Sequence, residues 1–158
     1  MRRLLTAVSA LATGVLASGA ARADQCKTVD TTIVTTFTPC APNESPFLGI
    51  CTEGTIASGL LAGSTRFAVQ MMTGTDTSVM YRGVLTVTTR SGTVEIRDHG
   101  ILNPMTGAFS EIEQVVSGTG RFKHLTGTLV SQGFQTATGF SGTLVGTLCH
   151  FNEAHGGK

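Results

Sequence analysis

Asp98 and Tyr81 are the two side chains of this chain best suited to moving protons: one carboxylate and the only tyrosine in 158 residues. A carboxyl group beside a phenol can act as an acid-base pair when both are withdrawn from water. Counting outward from a two-residue turn at Ser91-Gly92 pairs Arg90 with Thr93 and sets Asp98 opposite Leu85, on the same sheet face as Tyr81. Continuing across Asn103-Pro104 brings Ser110 and Ile112 beside Asp98, with Gln114 one step deeper. Gln132 and Phe134 join from the next strand by parity. The expected site is therefore Asp98 and Tyr81 as catalytic groups, with Ser110, Gln114, Gln132 and Phe134 around a ligand. The alternative for Asp98 is a hydrogen-bonded rim carboxylate ahead of the turn at 100–107. The same count sets Arg97 across from Glu113 and His99 across from Glu111 on the opposite face, where such pairs are ordinary furniture of a solvated sheet.

The elements that must position these groups are strands. Period-two runs rich in Val, Ile, Thr and Phe, bounded by Gly, Asn, Pro and Ser, recur eight times: 29–37, 51–60, 65–72, 79–89, 93–101, 107–117, 128–135 and 139–149. Short turns make neighbours antiparallel, and eight antiparallel strands in sequence leave two open edges unless the first pairs with the last. The expected fold is all-β: an eight-stranded, antiparallel, up-and-down, calycin-like barrel. With the more apolar face inward, the interior holds Phe67, Val69 and Met71, Leu85 and Val87, Val94 and Ile96, Ile112 and Val116, Val130, and Phe140, Leu144 and Leu148.

Met1-Arg2-Arg3, an apolar run over 4–20 and the small residues of Ala21-Arg22-Ala23 have the plan of a secretory signal peptide, cleaved before Asp24. Thr, Ser and Gly interrupt the run too often for a membrane anchor. This divides the chain into residues 1–23 and a single barrel domain over 24–158. Loss of three arginines takes the formal charge from +1 to −2, so no broad basic field is present to hold nucleic acid or an anionic membrane. An exported chain, secreted or periplasmic, with four cysteines reads as having two disulfides. Barrel closure places Cys26 beside Cys149 at the seam, and Cys40 and Cys51 close the first connection at the other rim. Zinc is the competing reading, but no short C-x-x-C spacing exists and the four histidines are scattered, so no metal is expected. G-x-S-x-G, P-loop, H-E-x-x-H and dinucleotide motifs are missing, and Gly118-Thr119-Gly120 is only a G-x-G. No cofactor is expected.

The stretch Val115-Val116-Ser117-Gly118-Thr119-Gly120-Arg121-Phe122-Lys123-His124-Leu125-Thr126-Gly127 resembles the V-x-G-G-T-G-x-F-x-x-A-x-G segment of the dirigent and allene-oxide-cyclase barrel superfamily. The resemblance implies an eight-stranded barrel, commonly a homotrimer, with a lumen that shapes a small apolar substrate while it cyclises or couples. It transfers no acidic residue to this chain. In physical terms the glycines permit tight turns, and Phe122 is placed to plug one mouth.

Three functions follow. The first is an isomerase or cyclase acting on a small apolar molecule in the lumen. The second is a non-catalytic barrel that binds a hydrophobic ligand, and the third is a structural or interaction protein with a filled interior.

Overall fold

The computed structural model describes residues 25–46 and 48–150; the expected signal peptide over 1–23 and the tail from residue 151 lie outside the described residues. Eight strands form one closed antiparallel barrel in sequence order. They are β1 (Gln25–Thr38), β2 (Cys51–Ile56), β3 (Gly63–Thr75), β4 (Ser78–Thr89), β5 (Gly92–Leu102), β6 (Ala108–Gly118), β7 (Leu125–Gln135) and β8 (Gly139–His150). A 3-10 turn, Gly120–Phe122, joins β6 to β7. The second strand is shorter than its sequence pattern, because the chain turns at 57–62 and buries Leu61 beneath the barrel end.

Closure is made by β1 against β8, twelve residue pairs long, with Cys26 directly opposite Cys149. These two form a disulfide, and Cys40–Cys51 forms the second. Both bridges suit an oxidising environment. At the second bridge, Glu44 in the β1–β2 connection accepts from Arg66 Nε at 2.6 Å, and Glu53 accepts from the same guanidinium at 2.7 Å. The hydrogen bonds from Arg66 hold the Glu44 carboxyl down at about 2.

The interior is divided along its axis. Toward the Cys26–Cys149 rim it is packed with aliphatic side chains, among them Val87, Val94, Ile96, Leu129 and Leu148, and Phe122 plugs that end at 1% exposure. Toward the Cys40–Cys51 rim the lining changes to rings, glycines and carboxyl groups around a cavity.

Two departures from strict alternation decide which side chains reach that cavity. At the β5–β6 turn, Asn103 N donates to Ala108 O and Gly107 N to Asn103 O, each at 2.8 Å. Asn103 Oδ1 also accepts from the backbone of Met105 and Thr106, and Gly107 takes φ 73°. This four-residue turn, with its side-chain-to-backbone bonds, pairs Asp98 with Glu113 and His99 with Ile112. The register differs by one residue from the simple count, and a one-residue slip reverses every side chain on the strand. Glu111 and Glu113 therefore point inward, while Ile112 and Val116 stand outside at 60% and 40% exposure. The expected Arg97–Glu113 and His99–Glu111 pairs do not form. A bulge between Val69 and Met71 turns Met71 outward in the same way.

Candidate functional site

Two rows of paired residues build the site. In the first, Tyr81 on β4 lies opposite Gly100 on β5, Gly100 opposite Glu111 on β6, and Glu111 opposite Ser131 on β7. A Cβ at Gly100 would collide with the Tyr81 ring. Glycine there lets the ring cross β5, so that Tyr81 Oη donates to Glu111 Oε1 at 2.6 Å. Ser131 Oγ donates to the other oxygen of the same carboxylate. In the second row Gly83 pairs with Asp98 and Asp98 with Glu113. Here the Phe67 ring occupies the space that a side chain at position 83 would need. Each glycine thus has an aromatic ring laid over it, and a carboxyl group stands beside each ring.

Oxygen atoms of Asp98, Glu111 and Glu113 come within 4.8 Å of one another. Asp98 and Glu113 are 2% and 1% exposed, and Asp98 Oδ1 and Glu113 Oε2 have no hydrogen-bond partner among the described residues. Both residues line a cavity of about 70 Å³, as do Phe67, Tyr81, Phe109 and Phe140. That volume accommodates a few waters or a small part of a ligand.

The electrostatics follow from burial. Loss of water pushes Asp98 up to about 10, assisted by the negative charges of Glu111 and Glu113 and by its hydrogen bond with Glu111. Burial and the Glu111 charge raise Glu113 to about 8. Burial also raises Glu111, against the opposing pull of its bonds from Ser131, Tyr81 and Asp98. Burial and the adjoining Glu111 carboxylate push the Tyr81 phenol well above its ordinary value. Of the three, Glu111 has the most donors and gives up its proton first, and its charge then helps Asp98 and Glu113 keep theirs. A protonated acid beside an ionised base in a poorly hydrated pocket is equipped for proton transfer.

The expected site is partly assembled. Asp98 and Tyr81 face the lumen as read, although Asp98 lies across from Gly83 instead of Leu85; a shift of two residues preserves the face. Ser110, Gln114, Gln132 and Phe134 do not join them. Ser110 pairs with Gln132 on the outer surface, Gln114 is exposed, and Phe134 is 61% exposed. The inner positions of β6 and β7 belong instead to Phe109, Glu111, Glu113, Leu129 and Ser131. The three carboxyl groups are also the donor set that could hold a hard cation, but both oxygens of Glu111 are already engaged. The other Cys- and Glu-containing cluster, Cys40, Glu44 and Cys51, has its sulfurs in a disulfide.

Gly100→Ala tests the construction. The added methyl must displace the Tyr81 ring and break its bond to Glu111, at a cost of ~1–3 kcal/mol. Near-UV circular dichroism should report it cleanly, since the chain has one Tyr and no Trp. An unchanged tyrosine signal together with unchanged stability would show that the ring does not depend on this glycine.

No protein-family model matches the chain, and no curated protein is significantly similar to it.

Proposed function

We propose that this protein is a barrel isomerase or cyclase that moves a proton within a small, mainly apolar substrate held in its lumen. The observation that carries this reading is the pair of buried, unpartnered carboxyl oxygens, Asp98 Oδ1 and Glu113 Oε2, on the wall of an otherwise largely apolar cavity. In the proposed reaction Glu111 takes a proton from a substrate carbon. Asp98 gives its proton to the oxygen or carbon at the other end of the shifting electron pair. The hydrogen bond between Asp98 and Glu111 then returns the proton and restores the starting state. The reaction is balanced within the substrate and draws on no cofactor. Tyr81 and Ser131 position the Glu111 carboxylate, and Phe67, Phe109 and Phe140 exclude water from it.

The likeness of the glycine segment to the dirigent and allene-oxide-cyclase barrels supports the same class of chemistry. It also carries a homotrimer, whose assembly would have the outer stripe of Met71, Met80, Ile101 and Ile112 to cover. Export to the periplasm or beyond completes the reading and is supported by the two disulfides.

The test works without the natural product being identified. A panel of small carbonyl and unsaturated compounds is incubated with the protein in D2O and read by mass spectrometry. Wild-type protein should introduce deuterium into at least one compound, and Asp98→Asn and Glu111→Gln should each slow this by ~100-fold or more. Retention of a compound with no exchange, in wild type and variants alike, would make the barrel a ligand carrier instead.

A further inference from the structure

The cavity is chemically one-sided. Its titratable lining groups are Tyr81 from β4, Asp98 from β5, and Glu111 and Glu113 from β6; β1, β2, β3, β7 and β8 contribute none. Among the described residues no Lys, Arg or His lines the cavity to offset the carboxyl groups. An anionic ligand would therefore meet only negative charge and ring faces. A cation would meet the two features that stabilise it away from water, namely carboxylate oxygens and aromatic faces.

The number of free oxygens narrows the kind of cation. Glu111 has one oxygen bonded to Tyr81 and the other to Ser131. That leaves Asp98 Oδ1 and Glu113 Oε2 as the unpartnered acceptors, each on a residue at least 98% buried. A hard metal ion of the calcium or magnesium type requires about six oxygen ligands, and here most would have to be waters against aromatic walls. An ammonium group has three N–H donors, can give two of them to these oxygens, and can rest its apolar body on the rings. Phe67 stands edge-to-face with Tyr81 at 6.4 Å, and Phe109 with Phe140 at 5.6 Å, so the rings form two linked walls of the pocket.

We propose that the lumen binds a small primary ammonium ion carrying an apolar body, with Glu113 and Asp98 as its hydrogen-bond acceptors. This rests on the proposed function, because it names the substrate class of the same site. Glu113 is the main anchor and ionises as the cation arrives. Asp98 and Glu111 remain paired for proton transfer. Binding therefore releases protons near neutral pH, and it strengthens as pH rises toward the ordinary range of an alkylamine.

Isothermal titration of the folded, disulfide-intact protein tests this with n-butylammonium, the neutral analogue n-butanol, the anion butyrate, and calcium and manganese chlorides, each at pH 7.5. The expected result is saturable binding of butylammonium, at least tenfold tighter than butanol or butyrate. Proton release should appear as a heat that depends on the buffer's ionisation enthalpy. Glu113→Gln should weaken butylammonium at least tenfold, whereas Glu53→Gln, on the outer surface, should leave it unchanged. Butanol binding as tightly as butylammonium, a metal ion binding more tightly than either, or no saturable butylammonium binding up to millimolar concentration would overturn the proposal. Variants that retain the wild-type far-UV spectrum keep a loss of binding distinct from a loss of folding. Amine binding with no deuterium exchange in any compound of the panel would sink the catalytic reading and leave this one standing. Exchange into a neutral compound without amine binding would do the reverse.

Discussion

Asp98→Asn is expected to make the protein more stable at pH 8, by roughly 2–4 kcal/mol, while slowing the proposed proton transfer. Folding raises the Asp98 carboxyl to about 10 from an ordinary 3.8, so the folded protein keeps a proton that the unfolded chain releases. The stability contribution is fully present below about pH 4 and declines as pH rises toward the folded value, by up to ~1.4 kcal/mol per pH unit. Glu113, raised to about 8, adds a second decline of the same sign that ends earlier. Asparagine keeps the shape and removes the ionisation, so denaturant midpoints between pH 5 and 9 should flatten in the variant. Glu44 works in the opposite direction: its carboxyl is held at about 2, and its contribution is lost only as the solution becomes acidic enough to protonate it. A wild-type curve rising steadily from pH 5 to 9, or an Asp98→Asn variant less stable at pH 8, would mean that Asp98 is ionised and well solvated. Stability given up at a buried cluster for no packing benefit is the pattern expected of a functional site.

Loss of the seam disulfide should be the largest purely structural effect. Cys26 and Cys149 are separated by 123 residues, and removing that cross-link from the unfolded chain's constraints costs about 5 kcal/mol by loop-closure entropy. Cys40 and Cys51, 11 residues apart, give about 3 kcal/mol on the same basis. The Cys26→Ser, Cys149→Ser double variant should lose on the order of 15–20 °C in Tm, more than the corresponding Cys40, Cys51 variant. The seam strands retain their twelve paired residues, so the barrel should still close in the cold. Equal losses for the two bridges in calorimetry, or a larger loss for the short loop, would show that entropy of the unfolded chain is not the controlling quantity.

Much of this architecture is legible in the sequence. Alternating Val, Ile, Thr and Phe with punctuating Gly and Pro locates all eight strands, and barrel closure then pairs the cysteines correctly, because an even strand count returns the chain to its starting rim. Tyr81 and Asp98 are placed on the inner face because an error of two residues at the β4–β5 turn is harmless. Glu111 and Glu113 are misplaced because an error of one residue at the β5–β6 turn is not. The turn is held by Asn103 and Gly107, which close four residues where the simple count allows an odd number. Hydrophobicity points to the wrong face on β6: Ile112 and Val116 are the more apolar set, yet the lumen is lined by Glu111 and Glu113. The usable signal is the Asn-Pro-x-x-Gly turn itself, whose asparagine and positive-φ glycine fix a loop length and thereby a register. Ser110, Gln114, Gln132 and Phe134 go outward with the same slip or with the parity of β7 that follows from it.

Asp98 and Glu113 face the lumen as buried carboxylic acids that should stay protonated near neutral pH. Carbon-13 NMR of the side-chain carboxyl groups, followed from pH 3 to 10 with Asp98→Asn and Glu113→Gln for assignment, measures this directly. Both resonances are expected to hold their protonated positions through pH 6, with Glu113 titrating near 8 and Asp98 near 10. Titration of both groups below pH 5, as for ordinary surface carboxylates, would contradict it.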